Sequence, residues 1–364
     1  MDRAEFDIKL DRIKGFMVQN GYEGILLCNN ENFSWLSCGH YAFVDKGSSN
    51  AVAKLLITAD KQYIICNSSE KYRIPNEELM GFPFELIAYD WHDNEQRIMS
   101  KYFGGLKIAS DNGAFGSTNC AREIMTLRYV LTEAEIKRYR EIGPVATQIV
   151  EDCCRKITKG MTEHEVAGAV TGELMSVGFQ VPVCLVAADD RLLKYRHPLP
   201  VGKEVKQTAM VAICAQKYGL TVSMSRIISL QQLSEVTKKK YDAVTKVDAV
   251  YMINTVEGAV AGDIVKKGHA MYAQTGYEAD FHLHHQGGAL GYLTRDYCAT
   301  EHEASVVLDC QAFSWNPTIS GVKCEDTFIV FGDRQEIITQ TRSWPRRTVT
   351  VEGKAVICPD ILAK

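Results

Sequence analysis

Three of the chain's nine histidines, His282, His284 and His285, fall within four consecutive positions, and Gly287, Gly288 and Gly291 follow at once. Neutral imidazole accepts a proton, donates a hydrogen bond or binds a metal near pH 7. Glycine lets backbone approach a ligand or another strand closely. The stretch reads as the floor of a pocket, with a His-rich surface hairpin as the competing interpretation. Taken as an extended strand, it sends His282 and His284 to one face and His285 to the other, so at most two of the three share a site.

The elements that must position such a floor follow from periodicity. Phe6, Leu10, Ile13 and Met17 recur at helical spacing until Asn20-Gly21 ends the pattern. Short apolar runs at 24–28, 55–57, 63–66, 84–88 and 106–109 then alternate with polar, helix-like stretches, which implies a small α/β domain over residues 1–127. Beyond it, Thr132 with Glu135 and Thr162 with Glu165 match the S/T-x-x-E capping box, and Gly160 sits where the first of the two helices they start should stop. Strands are expected at 182–188, 208–215 and 220–230. A long helix carrying Leu233, Val236, Tyr241 and Val244 follows, then a shorter one at 264–273, the histidine cluster, and strands at 304–313 and 323–331. Residues 128–342 form this second domain, and 343–364 an ordered extension.

Composition removes several classes of function. A net charge of -4, with no block of like charge longer than Lys238-Lys239-Lys240, argues against nucleic acid or a membrane surface as partner. No apolar run is long enough to span a bilayer, and the first residues are charged where a secretory leader is apolar. None of the twelve cysteines stands in C-x-x-C spacing, and most have apolar neighbours. They read as reduced core residues of a cytoplasmic protein.

The order of these parts resembles the creatinase, aminopeptidase P and prolidase family. The resemblance runs from about residue 5 to 340 and is carried by Gly21 to Gly39, Leu127 to Glu135, the Gly160-Met161-Thr162-Glu163 turn, the hairpin at Gly219, the His285 run and Gly321-Val322-Lys323-Cys324-Glu325-Asp326. It implies a creatinase-like N-terminal α/β domain followed by an α+β pita-bread domain of two ααββ halves. It also implies a homodimer in which a partner loop completes the site, and residues 40–49 are the candidate for that loop. Metallopeptidases of this family hold two metal ions on two aspartates, a histidine and two glutamates. Carried over position by position, these fall at Ala212, Ser223, His285, Asn316 and Glu325. Only His285 and Glu325 remain suitable, so no metal and no cofactor is expected. A single metal on His285 and Glu325, helped by His284 or Asp326, is the exception to weigh.

Creatinase itself works without metal, and His197 lies where the resemblance puts its acid/base histidine. The implied catalytic group is His197, His285 and Glu325, with Glu325 orienting a cationic or amide N–H. Ser223 and Asn316 would supply neutral hydrogen bonds, and Arg226 and Arg295 would hold a substrate carboxylate through their planar forks. His284 and Tyr292 complete the expected substrate contacts. Three functions compete: a metal-independent hydrolase of a small C–N compound, a binding protein on a peptidase fold, and an Xaa-Pro peptidase with an altered metal site.

Overall fold

The computed structural model describes residues 3–364 and divides by packing into two compact units, the first ending at Ala134 and the second running Glu135–Lys364. In the first, α1 (Arg3–Asn20) buries Phe6, Leu10, Ile13 and Met17. It stops where Gly21 takes a φ of 64°, the left-handed conformation that glycine adopts without a Cβ clash. Six strands follow: β1 (Gly24–Asn29), β2 (Asn50–Thr58), β3 (Gln62–Asn67), β4 (Phe84–Tyr89), β5 (Ile108–Ser110) and β6 (Thr118–Asn119). They make one mixed sheet of order β4-β3-β2-β1-β5-β6. Helices α2 (Asn30–Leu36) and α3 (Glu95–Phe103) lie between strands, and α4 (Ala121–Thr126) follows β6.

The second unit is the α+β pseudo-repeat that the resemblance implies. Its first half opens with α5 (Glu133–Lys156) and α6 (Glu163–Ser176). The start of α6 is set by the capping box: the Thr162 hydroxyl accepts from the Glu165 amide at 3.2 Å while the Glu165 carboxylate accepts from the Thr162 amide at 2.7 Å. Then come β7 (Gln180–Ala188), the short α7 (Asp190–Lys194), β8 (Thr208–Lys217) and β9 (Leu220–Ser229). The second half contains α8 (Glu235–Asn254), α9 (Ala261–Gln274), α10 (Glu278–Phe281), β10 (Gly287–Ala289), β11 (Ala312–Trp315), β12 (Thr318–Ile319), β13 (Val322–Lys323), β14 (Asp326–Phe331) and β15 (Arg334–Ile337).

The two halves join where β9 faces the β13–β14 segment. Thr327 Oγ1 accepts from the Ser223 amide at 2.7 Å and donates to the Ser223 carbonyl at 2.9 Å, and the Ser225 amide donates to the Glu325 carbonyl at 3.1 Å. The strand expected over 323–331 is thus two pieces. At Cys324 and Glu325 the backbone leaves its own sheet, with the Cys324 amide bonded to the Pro317 carbonyl and the Glu325 carbonyl taken by Ser225. The strand expected over 304–313 is mostly loop: only Ala312 onward pairs in a sheet, and Cys310 turns the chain at a φ of 58°.

The last residues belong to the second unit's core. β16 (Arg346–Val351) and β17 (Lys354–Pro359) form a hairpin that buries Val349, Val351, Val356 and Cys358 in the same cluster as α8, and β18 (Leu362–Ala363) runs parallel to β9 at the edge of the first half's sheet. All twelve cysteines are free thiols, most of them buried. No helix among the described residues is long and apolar enough to cross a membrane.

Candidate active site

His197, His285, Arg295, Asn316, Lys323 and Glu325 line one cavity of about 160 Å³, walled on its apolar side by Val183, Leu185 and Ala212. Four of them lie at or just beyond the ends of elements. His197 follows α7, Asn316 follows β11, Lys323 ends β13 and Glu325 sits at the break before β14. His285 is set by the glycines behind it. At Gly287, with φ 101°, an added Cβ would lie 2.3 Å from the Ser314 carbonyl oxygen, and at Gly288 one would lie 2.2 Å from that of Tyr297. Only glycine lets β10 pack this closely on its neighbours.

Glu325 is the electrostatic centre. Its carboxylate accepts from Ser225 Oγ at 2.7 Å and Arg295 Nη2 at 2.9 Å, and Lys323 Nζ stands 3.5 Å away. Burial pushes this carboxyl up, but Lys323, Arg295 and the hydrogen bonds outweigh it and hold the group below its usual range. Arg295 also donates through Nη1 to Ser223 Oγ at 3.2 Å, so its guanidinium spans Ser223 and Glu325.

Beside the cavity, three histidines converge. His197 Nε2 and His284 Nε2 are 3.1 Å apart, and the His284 and His285 rings stack at 4.3 Å. Burial, Lys323 and the neighbouring imidazoles push His284 down to about 2, and burial, Arg295 and Lys323 push His285 to about 4. His197 is lowered by partial burial and by Lys323, against a smaller opposing effect of Glu325. All three are neutral at pH 7. At 3.1 Å one of the facing Nε2 atoms must carry the proton and the other accept it.

This convergence corrects the expectation that His284 points away from His285. Alternation holds only in extended backbone, and here α10 precedes a turn while β10 begins at Gly287, after the histidines. Two other expected substrate contacts are corrected as well. Arg226 is wholly buried and saturated: Nε donates to Glu151, Nη1 to Asp326 and the Ser225 carbonyl, and Nη2 to the Thr339 carbonyl. Tyr292 is buried, with its hydroxyl donating to Glu135 at 2.6 Å. Asp326, the other proposed helper of a metal, pairs with the buried Arg226. Glu325 has no vacancy for a cationic ligand, since Arg295 and Lys323 already occupy it. Lys323 was missed by the sequence reasoning, although a signal existed: residues two apart in an extended stretch share a face, which puts Lys323 beside Glu325 and leaves Cys324 and Asp326 on the other.

The sequence model described as metallopeptidase family M24 matches residues 137–331. The chain is similar to an Xaa-Pro dipeptidase of Pyrococcus horikoshii, 22% identical over 357 residues that cover 92% of this chain and 97% of that protein. It is also similar to an uncharacterized peptidase of Staphylococcus haemolyticus, 26% identical over 318 residues that cover 78% and 87%. In fold it matches the crystal structure of the Pyrococcus horikoshii prolidase with a TM-score of 0.77 at 18% identity, over 92% of this chain and 98% of that one. The N-terminal domain of the chickpea FACT complex subunit SPT16 matches with a TM-score of 0.69 at 10% identity, over 93% and 97%.

Proposed function

The chain belongs to metallopeptidase family M24, and from that premise we propose that it hydrolyses a C–N bond in a small amide, amidine or N-substituted amino acid, using His197 as general acid and base and no metal ion. The name of the family implies a metal centre, and the donor set at this site does not fit one. Two nearby dications need several anionic oxygens to offset their repulsion and lost hydration. Ala212, Ser223 and Asn316 offer none, and the Arg295 guanidinium already bridges Ser223 and Glu325. The ligand atoms of His197, His284 and His285 lie within 4.8 Å of one another. A dication held there would face Arg295 and Lys323 with one carboxylate to balance all three, which disfavours it.

The observation that carries the reading is the 3.1 Å contact of His197 with His284 at the edge of the cavity, between imidazoles held neutral. A neutral His197 takes a proton from water as the oxygen forms its bond to the substrate carbon. When the C–N bond breaks, the same proton passes to the leaving nitrogen. In this reading His284 orients His197 through their shared proton, and His285 donates to the carbonyl oxygen. Arg295 and Asn316 bind the substrate.

His197→Ala is expected to abolish turnover, by at least about 100-fold for loss of a general acid/base, with an unchanged thermal midpoint, and chelator treatment of the native protein is expected to leave activity intact. Activity lost to chelator and restored by manganese or zinc would overturn the reading in favour of an Xaa-Pro peptidase with an altered metal site. A binding-only role draws on the same missing donors. A thermal-shift screen with product analysis separates it, because stabilisation without product in every case is its signature. A homodimer whose partner supplies residues 40–49 to the site completes the proposal, and analytical ultracentrifugation of the native protein tests it.

A further inference from the structure

Lys323 takes no part in the proton transfer described above, yet it is 5% exposed and lines the cavity. Of the lining residues, Arg295 and Lys323 are cations and Glu325 is the one carboxylate. The histidines beside them are neutral, and Asp326 is turned toward Arg226. The cavity lining therefore holds one positive charge in excess, and a buried charge without a counter-ion is costly. Two buried atoms in the lining also lack any hydrogen-bond partner: Arg295 Nε, a donor, and Asn316 Oδ1, an acceptor.

We propose that Arg295 and Lys323 stand in the cavity as fixed positive charge where other family members carry metal, and that they select an anionic, N-acylated amino acid. The carboxylate would be held by Arg295 and Lys323. The N–H of a secondary amide would donate to Asn316 Oδ1. A free α-ammonium has nowhere to go, because the lone carboxylate is already taken by Ser225, Arg295 and Lys323. A prolyl amide nitrogen, which has no hydrogen, would leave Asn316 Oδ1 unsatisfied. The selected class is thus distinct from an unblocked Xaa-Pro dipeptide. The inference rests on the hydrolytic reading for the fate of the bound molecule, and on charge and hydrogen bonding for its binding.

Isothermal titration of the full-length protein with N-acetylglycine, N-acetylglycinamide and glycylglycine at pH 7 tests it. N-acetylglycine is expected to bind at least about tenfold tighter than the other two, a difference of about 1.4 kcal/mol. Lys323→Met should erase that preference and Lys323→Arg should keep it. Glu325→Gln should tighten N-acetylglycine binding, since it removes the carboxylate that lines the cavity beside the ligand's own. Equal or tighter binding of glycylglycine or of the neutral amide, or weaker N-acetylglycine binding in Glu325→Gln, would overturn the proposal. Product assays on the same samples keep the two ideas apart. Selective binding without hydrolysis removes the enzyme reading alone, and hydrolysis of glycylglycine without any anion preference removes this inference alone.

Discussion

Arg226 and Arg295 carry the same guanidinium, and the carboxylates they meet are adjacent in the chain, yet their surroundings give them opposite roles. Arg226 has Glu151 and Asp326 within hydrogen-bond reach, and these keep it protonated against its burial. A buried pair of this kind costs about 3–5 kcal/mol to break from one side, so its place is in the frame. Arg295 shares one carboxylate with Lys323 and retains an unpartnered Nε. The same local charge bears on His197. Partial burial and Lys323 oppose its protonation, so the basic form persists to lower pH than for a free imidazole. The acidic limb of kcat/KM is therefore expected to lie below pH 6.5, with activity falling as pH drops through it. Lys323→Met, which removes the opposing cation, should move that limb upward. A pH–rate profile of the two proteins checks both statements.

Secondary-structure ends, more than their middles, shape the site. The break between β13 and β14 frees Glu325 from the sheet, and the start of β10 at Gly287 leaves His284 and His285 in a turn where their rings can meet that of His197. Gly287→Ala places a Cβ against the Ser314 carbonyl at a positive φ. Backbone strain of that kind costs about 1–3 kcal/mol, and the close contact adds to it. The variant is expected to melt earlier and to lose activity together with the His284–His285 stacking, readable from histidine ring proton shifts in NMR spectra. Unchanged spectra and activity would show that β10 does not position the imidazoles.

For the molecule as a whole, residues 343–364 behave as part of the second unit. Val349, Val351, Val356, Cys358 and Ile361 are each 1–7% exposed and lie in the core cluster that also contains Cys324, next to Glu325. Cys324 Sγ donates to Asp248 at 3.3 Å, and Cys358 Sγ stands 3.9 Å from the same carboxylate oxygen. At about 1.5–3 kcal/mol per buried apolar side chain, the five together approach the roughly 5–15 kcal/mol stability of a typical domain. Truncation after Arg342 is expected to unfold the second unit, seen as loss of its cooperative transition in urea. A truncated protein with native ellipticity and the same midpoint would show the hairpin to be dispensable.

The amino-acid order alone determined the periodic parts. The apolar face of Phe6, Leu10, Ile13 and Met17, the Thr162–Glu165 capping box and the helix–strand order of the pseudo-repeat are local, and local sterics and hydrogen bonds settle them. It also determined that three of the four positions to which the resemblance assigns metal-binding carboxylates, 212, 223 and 316, hold no acid, because a missing carboxylate cannot be restored by folding. Tertiary structure decided which charges meet. That Arg226 spends its donors on Glu151 and Asp326, that Arg295 and Lys323 crowd Glu325, and that His197 lies 3.1 Å from His284 across 87 positions all depend on contacts distant in the chain. Hydrophobic periodicity carries no information on such pairings, because they are set by how segments distant in the chain are brought together.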